Sequence, residues 1–228
     1  GRAAGRSGVG AVMGSKKLKA IVVKGKAEVP VPDLDNVKEM RRRHLKVYDE
    51  GMYDFFHISG TVGLTSGATI NGDAPIKNWG GAGPVDFEPG IEKFEWDNIK
   101  DYQSRRYGCW RCSLACGGHT SVKEGKFKGV AHHKPEYETA GAFGTMTLND
   151  DFPSLIKLNE QCNRYGLDTI SAGVTIAFVI ECFENNILTL EDTDGIEMTW
   201  GNVDSIVAMT DKLGMREGFG DVIADGVR

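Results

Sequence analysis

The sequence has no apolar run near the ~20 residues that a membrane-spanning helix requires. Its 228 residues, 40% hydrophobic and 26% charged, read instead as an ordinary globular chain. An extended basic stripe is also missing: net charge is -5, and the densest cationic cluster, Arg41-Arg42-Arg43 with Lys46, falls on an exposed helical pattern. Nucleic acid is thereby excluded as an expected partner. Cysteine is sparse and odd in number, five in all, which suits a reducing cytoplasm better than a secreted disulfide framework. There is no signal-peptide pattern. An initiator methionine is lacking too, and the chain stops at "GFGDVIADGVR" inside a helical pattern, so a piece of a longer protein is expected.

What is present is concentrated in a few places. Three of the five cysteines, Cys109, Cys112 and Cys116, lie within "YGCWRCSLACGG". Zinc sites usually pair two short knuckles, whereas [4Fe-4S] clusters take a run of closely spaced cysteines plus one ligand from a distance. The spacing favours iron and sulfur, with zinc or idle thiols as the rival readings. Cys162 and Cys182 are the only local candidates for a fourth corner, and both fall on inward faces of predicted helices. If they are core residues, the fourth ligand comes from elsewhere.

The opening "GRAAGRSGVGAVMG" combines glycines, which let a backbone approach closely, with the guanidiniums of Arg2 and Arg6. That combination suits phosphate, although Gly14-Ser15-Lys16 has the wrong order for a Walker loop. A flexible glycine-rich terminus is the plain alternative.

Between these landmarks the pattern is mostly helical. Leu18 to Val23 reads as a β-strand. Leu34 to about Glu50 reads as a helix behind Asp33, and residues 60–90 as a long Gly/Pro-rich loop. A short helix is expected from Asp97 to Tyr107, then a hairpin turning at Glu124-Gly125. Further helices are predicted from Asp151 to Tyr165 with Gly166 closing, from Thr169 to about Asn186 behind Asp168, from Asp204 to Leu213, and from Asp221 to Val227. The second of these is apolar nearly all round and belongs in the middle of a bundle.

Taken in order, "AGRSGVGAVMGSKKLKAIVVKG", "PIKNWGG", the cysteine loop, "PEYETAGAFG" and "NRYGLDTISAGVTIAFVIECFE" resemble the tungsten-containing aldehyde ferredoxin oxidoreductase family. The resemblance implies a mostly α fold: residues 1–30 as the end of an N-terminal pterin-binding β domain, and residues 31–228 as a helical domain carrying the cysteine loop. It also implies a tungsten bis-pterin, a [4Fe-4S] cluster and magnesium at the pterin phosphates. By resemblance, Arg2, Ala3, Gly5, Arg6 and Asp168 bind the pterin, and Cys109, Cys112 and Cys116 bind the cluster. Glu136 and Glu138 lie near the metal, where a carboxylate could act as general base, with His133 as a proton donor beside them.

The implied activity is oxidation of an aldehyde to a carboxylic acid, with ferredoxin or a partner subunit as acceptor, in an oligomeric cytoplasmic enzyme. The alternatives are reduction of an aromatic acyl-CoA thioester at a related centre and a non-catalytic iron-sulfur subunit. The family's fourth cluster cysteine and second pterin-binding aspartate lie beyond the C-terminal end of this sequence. Ser171-Ala172 replaces the usual Gly-Leu after Asp168, and Cys162 stands where some members carry an acid for an intersubunit metal.

Overall fold

Short polar side chains decide where the long helices begin. Asp151, Asp168 and Asn202 each accept the backbone N–H of a serine three residues on, Ser154 at 2.9 Å, Ser171 at 2.9 Å and Ser205 at 3.2 Å. Each satisfies one of the donors that a helix start leaves without an intrahelical partner. At the other end of the first helix, Gly166 takes φ 82°, a left-handed turn that costs glycine little.

The computed structural model describes residues 3–48 and 52–227. In chain order the helices are α1 (Val9–Ser15), α2 (Leu34–Tyr48), α3 (Tyr53–Ile58), α4 (Leu64–Asn71), α5 (Gly83–Asp86), α6 (Glu88–Lys93), α7 (Trp96–Ile99), α8 (Tyr137–Phe143), α9 (Phe152–Tyr165), α10 (Thr169–Glu184), α11 (Val203–Met215) and α12 (Phe219–Val222). Between α7 and α8 an antiparallel sheet of β1 (Gln103–Tyr107), β2 (Gly117–Ser121) and β3 (Ala131–His133) runs in the order β1-β2-β3. The fold is mostly α, as expected.

The core lies where α8 and α10 meet and where α9 packs against α11 and β3. Phe143, Leu155, Ile156, Leu158, Ile176, Ile180, Ile206 and Met209 are sealed from solvent. Burial of each contributes on the order of 1.5–3 kcal/mol. α8 and α10 come so close that a Cβ on Gly173 would stand 2.6 Å from Ala142 Cβ. α9 and α10, apolar enough together to resemble a broken membrane span, turn through 114° at Gly166-Leu167 and belong to this core. Among the described residues no single helix is long and apolar enough to cross a membrane.

Several local expectations give way to tertiary pairing. Leu18 to Val23 forms no strand; Ile21, Val22 and Val23 are 69%, 90% and 87% exposed, because no described strand offers that run a ladder partner. The helix expected from Asp97 stops early, and Gln103–Tyr107 becomes β1 by pairing with Gly117–Thr120 across the cysteine loop. Residues 60–90 form short helices instead of a loop, with Pro84 and Pro89 in the first turns of α5 and α6, where proline is tolerated. The hairpin is present as β2–β3, with Gly125 at φ 74° in its turn. The final helix is shorter than expected, Phe219–Val222.

Candidate metal and cofactor site

The β1–β2 connection, residues 108–116, is the cysteine loop. The start of the loop lies close against its end: a Cβ on Gly108 would meet Ala115 Cβ at 3.1 Å and Cys112 O at 3.2 Å. The Cys112 N–H donates to Cys109 O at 3.0 Å, and Arg111 and Ala115 take left-handed φ of 58° and 50°. Two side chains one helical turn apart hold the segment from outside. The Tyr53 hydroxyl donates to Ser113 O at 3.0 Å, and His57 Nδ1–H donates to Leu114 O at 2.7 Å.

Cys109 and Cys112 are exposed and Cys116 is half-buried, all three as free thiols. Burial, and then the nearby Glu136 carboxylate, push the Cys116 thiol above its ordinary range. Among the described residues no three His, Cys, Asp or Glu side chains are close enough to hold a metal ion. The thiols therefore share one loop without forming one cage. As a donor set they still fit an iron-sulfur cluster, since a complete ligand cage rarely exists before its metal binds and the three free thiols lie on one tight loop. Cys162 and Cys182 are buried side chains, and burial pushes the Cys162 thiol up to about 12, which suits packing and not ligation.

A cleft of ≈ 330 Å³ opens where the glycine-rich start crosses α8, α9 and α10. Ala3, Gly5, Arg6, Glu136, Glu138 and Asp168 all line it, so most of the residues singled out from sequence are brought together. Gly5 passes directly over the α9–α10 turn, where a Cβ would stand 2.8 Å from Leu167 O. Arg6 Nη1 lies 3.7 Å from Asp168 Oδ2. With the Arg6 side chain 64% exposed, such a pair contributes at most about 1 kcal/mol, so close backbone contact positions this segment more than charge does. Arg2 lies outside the described residues.

Asp168 has a double duty available. Its Oδ2 accepts Ser171 N at 2.9 Å and Ser171 Oγ at 2.8 Å and faces Arg6, while among the described residues Oδ1 takes no hydrogen bond. Glu136 is half-buried and accepts from the Thr61 hydroxyl, which in turn accepts Tyr137 N–H at 3.0 Å. Glu138 is exposed at the rim. His133 does not line this cleft. Its ring lies 4.9 Å from that of His119 and 5.4 Å from that of Tyr107, in a separate hollow with Ser104, Thr120 and His132. Pairing of β3 with β2 sets His133 opposite His119.

The cysteine loop and the cleft share a wall. Gly60, at φ 70°, sits where a Cβ would meet Cys116 O at 2.7 Å and Lys134 Nζ at 2.8 Å. The next residue, Thr61, holds Glu136. One peptide therefore touches both halves of the site. Lys134 is 3% exposed, and its burial brings the ammonium down to about 8. Thr61, Lys134, Tyr53 and His57 were not evident from sequence. Only the i, i+4 spacing of Tyr53 and His57 carried a local signal.

The family profile described as "Aldehyde ferredoxin oxidoreductase, domains 2 & 3" matches residues 37–228. The tungsten-containing aldehyde ferredoxin oxidoreductase of Pyrococcus furiosus is 34% identical over 99% of this chain, and that of Thermococcus kodakarensis 36% identical over 99%. The chain spans 36% of the length of each. A chain from the solved active-site complex BamBC of benzoyl coenzyme A reductase with 1,5-dienoyl-CoA superposes with a TM-score of 0.74 at 21% identity, covering 97% of this chain and 34% of that one, and so shares its fold. With the profile matched over most of its residues and two relatives above 30% identity along its length, the chain belongs to the aldehyde ferredoxin oxidoreductase family.

Proposed function

We propose that this chain forms the cluster-bearing, pterin-facing part of a tungsten oxidoreductase that converts an aldehyde and water to a carboxylic acid, two protons and two electrons. The electrons leave for a ferredoxin or a partner subunit. The observation that carries the reading is the shared wall at Gly60-Thr61, which joins the thiol loop to a cleft lined by Arg6, Glu136 and Asp168. A non-catalytic iron-sulfur subunit would have no use for that cleft, and a zinc module would have none for Arg6.

When bound, the tungsten pterin supplies the two-electron oxidation and the cluster carries electrons away singly. Cys109, Cys112 and Cys116 would hold the cluster, with its fourth ligand from outside these 228 residues. Ala3, Gly5, Arg6 and Asp168 would hold the pterin and its phosphates, with Arg2 and a magnesium ion as further anchors. Gly5 matters because its backbone can lie against Leu167 and still offer polar groups to the cleft.

Glu136 is the group suited to proton work. It is half-buried and oriented by Thr61, so its carboxylate can accept a proton from hydrated aldehyde without first shedding a full water shell. Glu138 at the rim passes that proton to solvent. His133, turned to Tyr107 and His119 in a separate hollow, is given no proton role in this scheme. The free thiols suit a reducing cytoplasm.

Glu136→Gln in the full-length anaerobic protein tests the assignment. Aldehyde oxidation is expected to fall about 10²- to 10⁴-fold while iron and pterin content stay at the parent level. A rate within a factor of two of the parent would remove Glu136 from the chemistry.

A further inference from the structure

The mechanism above leaves one buried charge unused. Lys134 follows β3 and precedes α8, and at 3% exposure it is, among the described residues, the only buried lysine or arginine. A buried ammonium is costly unless anions or acceptors meet it. Here one neutral acceptor does, Gln103 Oε1 at 3.0 Å, and the Trp96 ring centroid lies 5.3 Å from Nζ. The titratable groups facing it are Glu136, Cys116 and Arg106. Glu136 belongs to the cleft, Cys116 to the cysteine loop, and Arg106 is a like charge from β1.

The local backbone is shaped around this ammonium. Gly60 adopts a left-handed φ of 70°, and its missing Cβ is the space that lets Lys134 Nζ and the Cys116 carbonyl both approach the same residue. From below, Lys134 N–H donates to Gly118 O at 2.8 Å, tying the residue to the strand that leaves the cysteine loop. A Cβ on Gly118 would also press on Lys134 Cε, at 3.3 Å. Two glycines thus make room for one cation at the junction of the two half-sites.

We propose that Lys134 is a positioning charge for the redox centre: its ammonium lies beside Cys116 so as to favour the electron-rich state of a cluster held by Cys109, Cys112 and Cys116, and so raises that cluster's reduction potential. The inference rests on the iron-sulfur reading above. One-electron reduction adds one negative charge to the cluster and its thiolates. A fixed cation in a site shielded from water stabilises that charge far more than one in bulk solvent. Lys134 touches neither substrate nor pterin in this scheme and acts through Cys116.

The test uses the full-length protein purified anaerobically, in parent, Lys134→Met and Lys134→Gln forms, with iron content and an EPR-monitored redox titration as readouts. Parent protein without iron would overturn the iron-sulfur reading itself, and this inference with it. With iron present, both variants are expected to keep the cluster and to titrate at a lower midpoint. The ratio of reduced to oxidised cluster at the parent midpoint should fall about tenfold, equivalent to 59 mV for a one-electron couple. Gln103→Leu, which removes the hydrogen-bond partner but keeps the charge, is expected to leave the midpoint in place. Full iron with an unshifted midpoint in both Lys134 variants would overturn the inference while leaving the iron-sulfur reading intact. Failure of both variants to fold would make Lys134 a structural element and overturn the inference equally.

Discussion

Around Asp168 much of the wall comes from helices or their caps: α8, α9 and α10 converge there, and Gly5 lies against the turn between α9 and α10. From Gly108 to Cys116 the chain is instead a hairpin loop, held at Ser113 and Leu114 by Tyr53 and His57, with Cys109 and Cys112 facing solvent. The cleft is fixed by packing before any ligand arrives. The cysteine loop has its donors in sequence order but, among the described residues, not gathered into one cage. A scaffold of rigid helices suits the placement of a large organic group, and a compliant loop suits ligands that must close on several irons at once.

That contrast can be broken most sharply at the loop. Cys112→Ser is expected to lose most of the bound iron while leaving helix content by circular dichroism unchanged, since Cys112 is exposed on the loop. Retention of all iron would remove the loop from metal binding. In the rigid half the expected effect is on stability. Gly173→Val forces side-chain atoms into Ala142, already 2.6 Å from where a Cβ would sit, and should cost about 1–3 kcal/mol in urea denaturation. Trp110→Ala, on the loop and 77% exposed, should cost less than about 0.5 kcal/mol.

A finer comparison sets two caps of the same kind side by side. Asp151→Ala and Asp168→Ala each remove a cap bond to a serine N–H at 2.9 Å, so each should cost about 1 kcal/mol. Only Asp168→Ala is expected to lower pterin content as well. Equal pterin in both would make Asp168 a cap and nothing more.

A further effect concerns pH. Cys162 has its thiol held up at about 12 against an ordinary 9. Between those values the folded state keeps a proton that the unfolded state releases. Stability is therefore fully present below pH 9 and is lost as pH rises toward 12, by at most roughly 1.4 kcal/mol per pH unit. Cys162→Ala should flatten that part of the slope in a parent-against-variant comparison of urea midpoints. Identical slopes would contradict the burial argument.

Local chemistry made parts of this legible in advance. The caps at Asp151 and Asp168 and the glycine at 166 are short-range signals, and the helices they bound are α9 and α10. The gathering of Gly5, Arg6, Glu136 and Asp168 followed from resemblance, not from any spacing in the chain. What sequence could not supply was pairing across distance. Gln103–Tyr107 has no strand signal strong enough to outweigh a helical reading until Gly117–Thr120 lies alongside it. Leu18–Val23 has the strand signal and no partner among the described residues. Thr61 and Lys134 are ordinary residues in sequence and become informative only once Gly60 brings Cys116 and Glu136 to one wall.

Metal and cofactor stoichiometry of the anaerobically purified full-length protein tests the central claim most directly, by elemental analysis for tungsten, molybdenum, iron and zinc together with pterin quantification. Tungsten with pterin and about four irons per chain is the expected result. Zinc alone, or iron without pterin, would contradict the joining of thiol loop and cleft in a single redox centre.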